Sequence, residues 1–161
     1  MIDLKFKDIF NRIKSNRQMG IFIPFVLICI ITAVLNPVFL YPENIVDVLR
    51  SISFTVIVGV GMTFVLICAG IDLSVGAVVG LGGVIAAIAM LAEIPIIISI
   101  ILALLLGAFI GLINGLVIVK LKIPPMIATL GMMYIARGVI YVITRGKPVY
   151  PLPEAFKQIS Q

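Results

Sequence analysis

An all-α, polytopic bundle of transmembrane helices is the fold class this sequence predicts, and three observations predict it. From Ser51 to Val119 the chain runs 69 residues with only two charges, Asp72 and Glu93. Over all 161 residues, 62% are hydrophobic and only 12% are charged, where soluble domains average about 25% charged. Mean hydropathy is +1.29. A helix facing water needs a polar side, and this stretch has none over a length sufficient for roughly three crossings of about 20 residues each. The composition excludes a water-facing globule.

The first element is basic. Lys5, Lys7, Arg12, Lys14 and Arg17, five of the twelve basic residues, precede the first apolar run. They account for the net charge of +5 as an orientation signal, which leaves no call for nucleic acid as a partner. Residues 1–19 are therefore expected to be a basic cytoplasmic segment. The run at 20–40 ends in Asn36-Pro37 without a small-x-small cleavage pattern, so it reads as an uncleaved signal-anchor helix.

Five spans are expected within a bundle covering residues 20–144: about 20–40, 48–69, 73–92, 95–119 and 126–144. In the fourth, 18 of the 26 residues from Ile94 to Val119 are Ile, Leu, Val or Phe. At about −0.3 to −0.6 kcal/mol each, they favour insertion by roughly 5 to 11 kcal/mol. One asparagine and three glycines do not reverse that. The third span is Gly-rich and the fifth carries an arginine, so both rely on neighbouring helices. Breaks fall at Asn36-Pro37, Tyr41-Pro42, Pro95 and Pro124-Pro125, residues that begin or end helices.

Orientation follows from charge. With the N-terminus cytoplasmic, four crossings return Lys120 and Lys122 to the same side, and Glu43, Asp47 and Glu93 fall in outer loops. Arg145 and Lys147 run against that bias. Residues 145–161, with Pro148, Pro151 and Pro153, read as the start of an extracytoplasmic loop, with the chain truncated beyond it. Trp is absent, so any interfacial belt rests on Tyr41, Tyr134, Tyr141 and Tyr150. With no His, the commonest general base is missing. Cys29 and Cys68 lie inside apolar runs and are expected to be small buried hydrophobes, with neither a disulfide nor a metal pair.

A few residues carry more information. Gly107, Gly111 and Gly115 repeat at four-residue spacing on one face of the fourth span, and Gly76, Gly80 and Gly83 suggest a second such face in the third. Glycine ridges let backbones approach, so both faces are expected to pack on helices. Gly70-Ile71-Asp72-Leu73-Ser74-Val75-Gly76 sets a carboxylate and a hydroxyl among glycines between two apolar runs. Two readings stand side by side. Asp72 caps the third helix by accepting from its free N–H groups, or the segment is a discontinuous helix lining a polar cavity. Arg137, mid-span, costs about 2.5–3.5 kcal/mol to insert and so needs protein or water around it. It either locks the bundle by pairing with a carbonyl or Asp72, or forms a polar stripe on a solute path with Tyr134 and Tyr141. Asn114 either hydrogen-bonds across helices or joins that path. No phosphate-binding Gly-x-x-x-x-Gly-Lys-Ser/Thr, metal-ligand cluster or Ser/His/Asp set occurs, so ATP-driven transport would need another chain to hydrolyse the nucleotide.

Read together, Gly61-Met62-Thr63-Phe64-Val65-Leu66-Ile67 and Gly70-Ile71-Asp72-Leu73-Ser74-Val75-Gly76 resemble the permease subunits of ribose-type ATP-binding cassette importers. Asn114-Gly115-Leu116, Lys122-Ile123-Pro124-Pro125-Met126-Ile127-Ala128-Thr129-Leu130-Gly131, Ala136-Arg137-Gly138 and Gly146-Lys147-Pro148-Val149 extend the resemblance in the same order. It implies a multi-pass permease of the cytoplasmic (inner) membrane that imports a monosaccharide by alternating access. The partners it implies are a second permease copy, cytoplasmic ATP-binding subunits and an extracytoplasmic sugar-binding protein. This chain would bind no cofactor itself, ATP being used by the partner. On that resemblance Asp72 and Ser74 are expected beside the translocation path, with Asn114 and Arg137 as further candidates. Such permeases run to roughly double this length, so the chain is expected to be an N-terminal half. A half-unit of an ion-coupled secondary transporter is the alternative, with Asp72 as the one intramembrane acid.

Overall fold

The structure, a computed structural model, describes residues 19–159. The expected basic segment lies almost wholly outside them. Within them the chain is helical: α1 (Met19–Leu35), a 3₁₀ turn (Pro37–Leu40), α2 (Pro42–Ile67), α3 (Val75–Leu91), α4 (Ile96–Leu121), α5 (Pro125–Thr144) and the short α6 (Glu154–Ile159). Three of these helices, α2, α4 and α5, are long and apolar enough to cross a membrane. The 26-residue α2 and α4 extend about 39 Å each at 1.5 Å per residue. Five spans were expected; α1 and α3 are apolar, and each is helical over 17 described residues. Asn36 shortens the first, because its side chain accepts from the Val38 amide at 3.1 Å and opens the 3₁₀ turn. The third starts late because residues 68–74 stay irregular.

Contacts divide the chain into two compact units, residues 1–56 and 57–161, with the boundary inside α2. In the first, Asn44 Nδ2 donates to the Phe39 carbonyl at 2.8 Å and ties the 3₁₀ turn to the start of α2. Asp47 and Arg50 pair at 3.8 Å on the exposed surface, a contact worth about 1 kcal/mol or less. An apolar groove of about 380 Å³ runs past Phe25, Ile28, Phe39, Val48 and Ile52. No described residue of this unit is buried.

The second unit has a core. Here α3 packs most extensively on α4, then on α5. Ala77, Leu81, Ile110 and Ala136 are buried together, with Val78, Ile85, Leu106 and Met133 against them. The tight α3–α4 approach passes through Gly82, where an added Cβ would lie 3.6 Å from the Ala103 carbonyl oxygen. The sequence pointed to other glycines. Of the expected α4 ridge, Gly107 meets Val78 at 4.0 Å, whereas Gly111 and Gly115 have nothing within 4 Å of a built Cβ. Gly80 touches Ile140, while Gly76 and Gly83 face open space. Both faces were expected to pack on helices, and whether a given glycine meets one depends on where the neighbouring helix lies.

Helix ends are closed by left-handed residues that are not glycine: Ala69, Glu93, Lys122 and Arg145 have φ of 54–63°. After α2, the Ala69 amide donates to Leu66 O and the Gly70 amide to Val65 O, the paired bonds of a Schellman motif. Glu93 and Ile94 repeat it after α3, donating to Met90 O and Ala89 O. Gly70 is needed because any Cβ there would sit 3.3 Å from both the Val65 carbonyl and its side chain.

Candidate functional site

Helical hydrogen bonding stops at Ile67 and resumes at Val75, leaving backbone polar groups of residues 68–74 to find partners elsewhere. Polar side chains supply them. Asp72 Oδ1 accepts from the Ser74 amide at 2.7 Å and from Ser74 Oγ at 2.6 Å. A carboxylate acceptor makes both bonds short and strong. Ser74 Oγ in turn accepts from Asn114 Nδ2 of α4 at 3.1 Å. Ser74 and Asn114 are buried, at 1% and 6% exposure. The second Asp72 oxygen makes no hydrogen bond among the described residues, and Asp72 is half-buried.

Thr129, on the first turn and a half of α5, completes the arrangement. Its Oγ1 accepts from the Leu73 amide at 3.1 Å. It lies 2.8 Å from the Pro125 carbonyl, to which it donates, with the Ile71 carbonyl at 3.2 Å. One hydroxyl at 2% exposure thus fastens the break to α5 through the Leu73 amide.

Of these groups Asp72, Asn114 and Thr129 border a cavity of about 340 Å³, with Ser74 behind them, and the wall also includes Phe64, Cys68, Gly111, Gly115 and Pro125. The two unpacked glycines of α4 are therefore part of the cavity wall. Cys68 is exposed and Cys29 half-buried, so neither is the fully buried hydrophobe the sequence suggested; both thiols are free. The arrangement can present a carboxylate and an amide to a polar solute from an otherwise apolar wall.

The structure brings together three of the four polar candidates: Asp72, Ser74 and Asn114. The simple cap reading of Asp72 needs correction. Its partner is the amide of Ser74, the residue before the first helical position, and α3 itself has no side-chain cap bond. Asn114 bonds across helices. Arg137 is elsewhere, exposed on α5 and bordering a different, larger cavity of about 680 Å³ with Tyr141 and Lys147. It does not pair with Asp72, and it makes no hydrogen bond or ion pair among the described residues. Tyr141 shares that cavity; Tyr134 does not.

Thr129 was not singled out by sequence reasoning. The available signal was its place four residues after Pro125, where a threonine can bond back to a carbonyl. Nothing local points to Leu73, 56 positions away.

Comparison with known proteins gives a consistent picture. Residues 44–153 match the family described as branched-chain amino acid transport system / permease component. The chain is 43% identical over 142 residues to the ribose import permease protein RbsC of Haemophilus influenzae, covering 84% of this chain and 44% of that protein. It is 41% identical to the RbsC of Bacillus subtilis, over 83% of this chain and 41% of the relative. The autoinducer 2 import system permease protein LsrC of an Enterobacter species is 31% identical, over 91% and 43% respectively. The chain thus spans less than half the length of these curated relatives. No solved structure matches it.

Proposed function

The chain belongs to the branched-chain amino acid transport system / permease component family, and from that membership we propose that it forms part of the transmembrane permease of an ATP-binding cassette importer. Its cargo in this reading is a monosaccharide of the ribose class, carried across the cytoplasmic membrane. The relatives named for ribose import, at 41–43% identity, support that cargo. A separate cytoplasmic subunit hydrolyses ATP, an extracytoplasmic sugar-binding protein delivers the solute, and a second permease copy completes the pathway. This chain contributes no cofactor and no catalytic residue.

The observation that carries the site is the hydrogen-bonded series Asn114–Ser74–Asp72 beside a cavity at a helix break. Irregular backbone and an ionisable group at membrane depth are tolerated only inside protein or along a water-filled space. A sugar offers hydroxyls that donate to a carboxylate and accept from an amide. Asp72, Ser74 and Asn114 are therefore the pathway residues of this reading, and Arg137 is not beside them.

Uptake of radiolabelled ribose tests it, in cells lacking their own ribose permease and supplied with this chain and the importer's other subunits. Asp72→Asn keeps an oxygen acceptor for Ser74, so membrane levels should stay normal while uptake falls about tenfold, equivalent to about 1.4 kcal/mol. Unchanged uptake at normal levels removes Asp72 from the path. Uptake that stops on ATP depletion, yet survives collapse of proton and sodium gradients, excludes an ion-coupled carrier.

A further inference from the structure

The larger cavity of residues 57–161 contains two cations and no acid. Arg137 and Lys147 border it with Gly80, Tyr141, Thr144 and Gly146. Arg137 lies at position 13 of the 20-residue α5, about 10 Å from its C-terminal end at 1.5 Å per residue. A guanidinium at that depth needs a compensating group, and Arg137 has none among the described residues.

The turn that brings Lys147 to the same cavity is well defined. Arg145 is left-handed at φ 54°, and Gly146 has φ 70° with the Tyr141 ring 3.1 Å from where a Cβ would stand. The Gly146 amide donates to Thr144 Oγ1 at 3.2 Å and the Lys147 amide to Thr144 O at 3.0 Å. Lys147 therefore stands just past the end of a helix long and apolar enough to cross a membrane. The rest of the lining includes Val84, Ile140 and Val149, which suits an acyl chain. Arginine recognises phosphate with paired donors and lysine with a point charge, while tyrosine favours the membrane interface.

We propose that Arg137 and Lys147 form a binding site for the phosphodiester headgroup of an anionic phospholipid, whose chain lies along Val84, Ile140 and Val149. The bound lipid neutralises the two cations that the described chain leaves uncompensated. A lipid fits better than a free anion because the cavity is lined largely by apolar side chains and opens on the surface of the unit.

The test is lipid retention on the chain purified with its native subunits in mild detergent, offered equal amounts of phosphatidylglycerol and phosphatidylcholine and analysed by native mass spectrometry. The expected result is about tenfold enrichment of phosphatidylglycerol, falling several-fold in Lys147→Gln and further in Arg137→Gln. Lys147 lies outside the helix, so its variant keeps the test valid if Arg137→Gln folds poorly. Equal retention of the two lipids, or retention unchanged in Lys147→Gln, overturns the site. Inorganic phosphate is then added in phosphatidylcholine nanodiscs. A wild-type thermal shift that Lys147→Gln abolishes would assign the cavity to a free anion and overturn the lipid. A carbodiimide cross-link from Lys147 to an acidic side chain of a co-purified subunit would likewise give it to a protein carboxylate.

Discussion

Residues 19–56 and 57–159 are equally oily, yet only the second stretch buries side chains. In the first, α1 and the start of α2 border an apolar groove, and every described residue keeps some exposure. In the second, twelve described residues are buried, and four of these are polar: Ser74, Ser99, Asn114 and Thr129. Lipid tails are as apolar as leucine, so burying leucine against leucine gains little in a membrane. Close backbone contact and hydrogen bonds between elements must select the packing instead. The second unit has both; the first is tied mainly by bonds close in sequence, such as Asn44 to Phe39.

That contrast predicts a graded series, readable as unfolding of the purified chain in mixed detergent titrated with dodecyl sulfate. Gly82→Leu should cost the most, about 1–3 kcal/mol, because it drives a large side chain into Ala103. Wild-type stability for that variant would mean α3 and α4 do not meet through Gly82. Thr129→Val keeps the shape and deletes the hydroxyl, leaving the Leu73 amide unsatisfied, at about 1–2 kcal/mol. Thr129→Ser should restore most of it, which separates hydrogen bonding from packing. Asn114→Leu removes one interhelical bond and should cost about 0.6 kcal/mol, with ~1.7 as an upper bound. Ile28→Val, in the groove of the first unit and 63% exposed, should shift the midpoint by less than about 0.5 kcal/mol. A larger loss there than at Asn114 would reverse the comparison.

The site is partly legible in the sequence. Asp72 and Ser74 stood out because a carboxylate and a hydroxyl between two apolar runs have few ways to be satisfied. Asn114 stood out as a lone amide in a helix dominated by Ile, Leu and Val. Thr129 did not, since a threonine bonding back within a helix looks ordinary: Thr32, Thr55, Thr63 and Thr144 all do so. What distinguishes Thr129 is that its hydroxyl also reaches Leu73 and Ile71. Ser99, also buried, bonds only to the nearby carbonyls of Pro95 and Ile94. Gly82 was missed for a similar reason, as it lies off the four-residue rhythm that drew attention to Gly76 and Gly80.

Composition and the order of apolar runs were enough to determine a helical, membrane-spanning chain broken around Asp72, because the cost of exposing backbone and charge to hydrocarbon is set residue by residue. They could not determine which polar groups meet. Helices that are apolar on nearly every side carry no stripe to say which face turns toward a neighbour. Tertiary structure decided that Asn114 reaches Ser74 across 40 positions and that Thr129 holds Leu73 across 56. It also set Arg137 at a separate cavity, since these outcomes depend on how the helices are rotated and docked, which hydropathy along the chain leaves open.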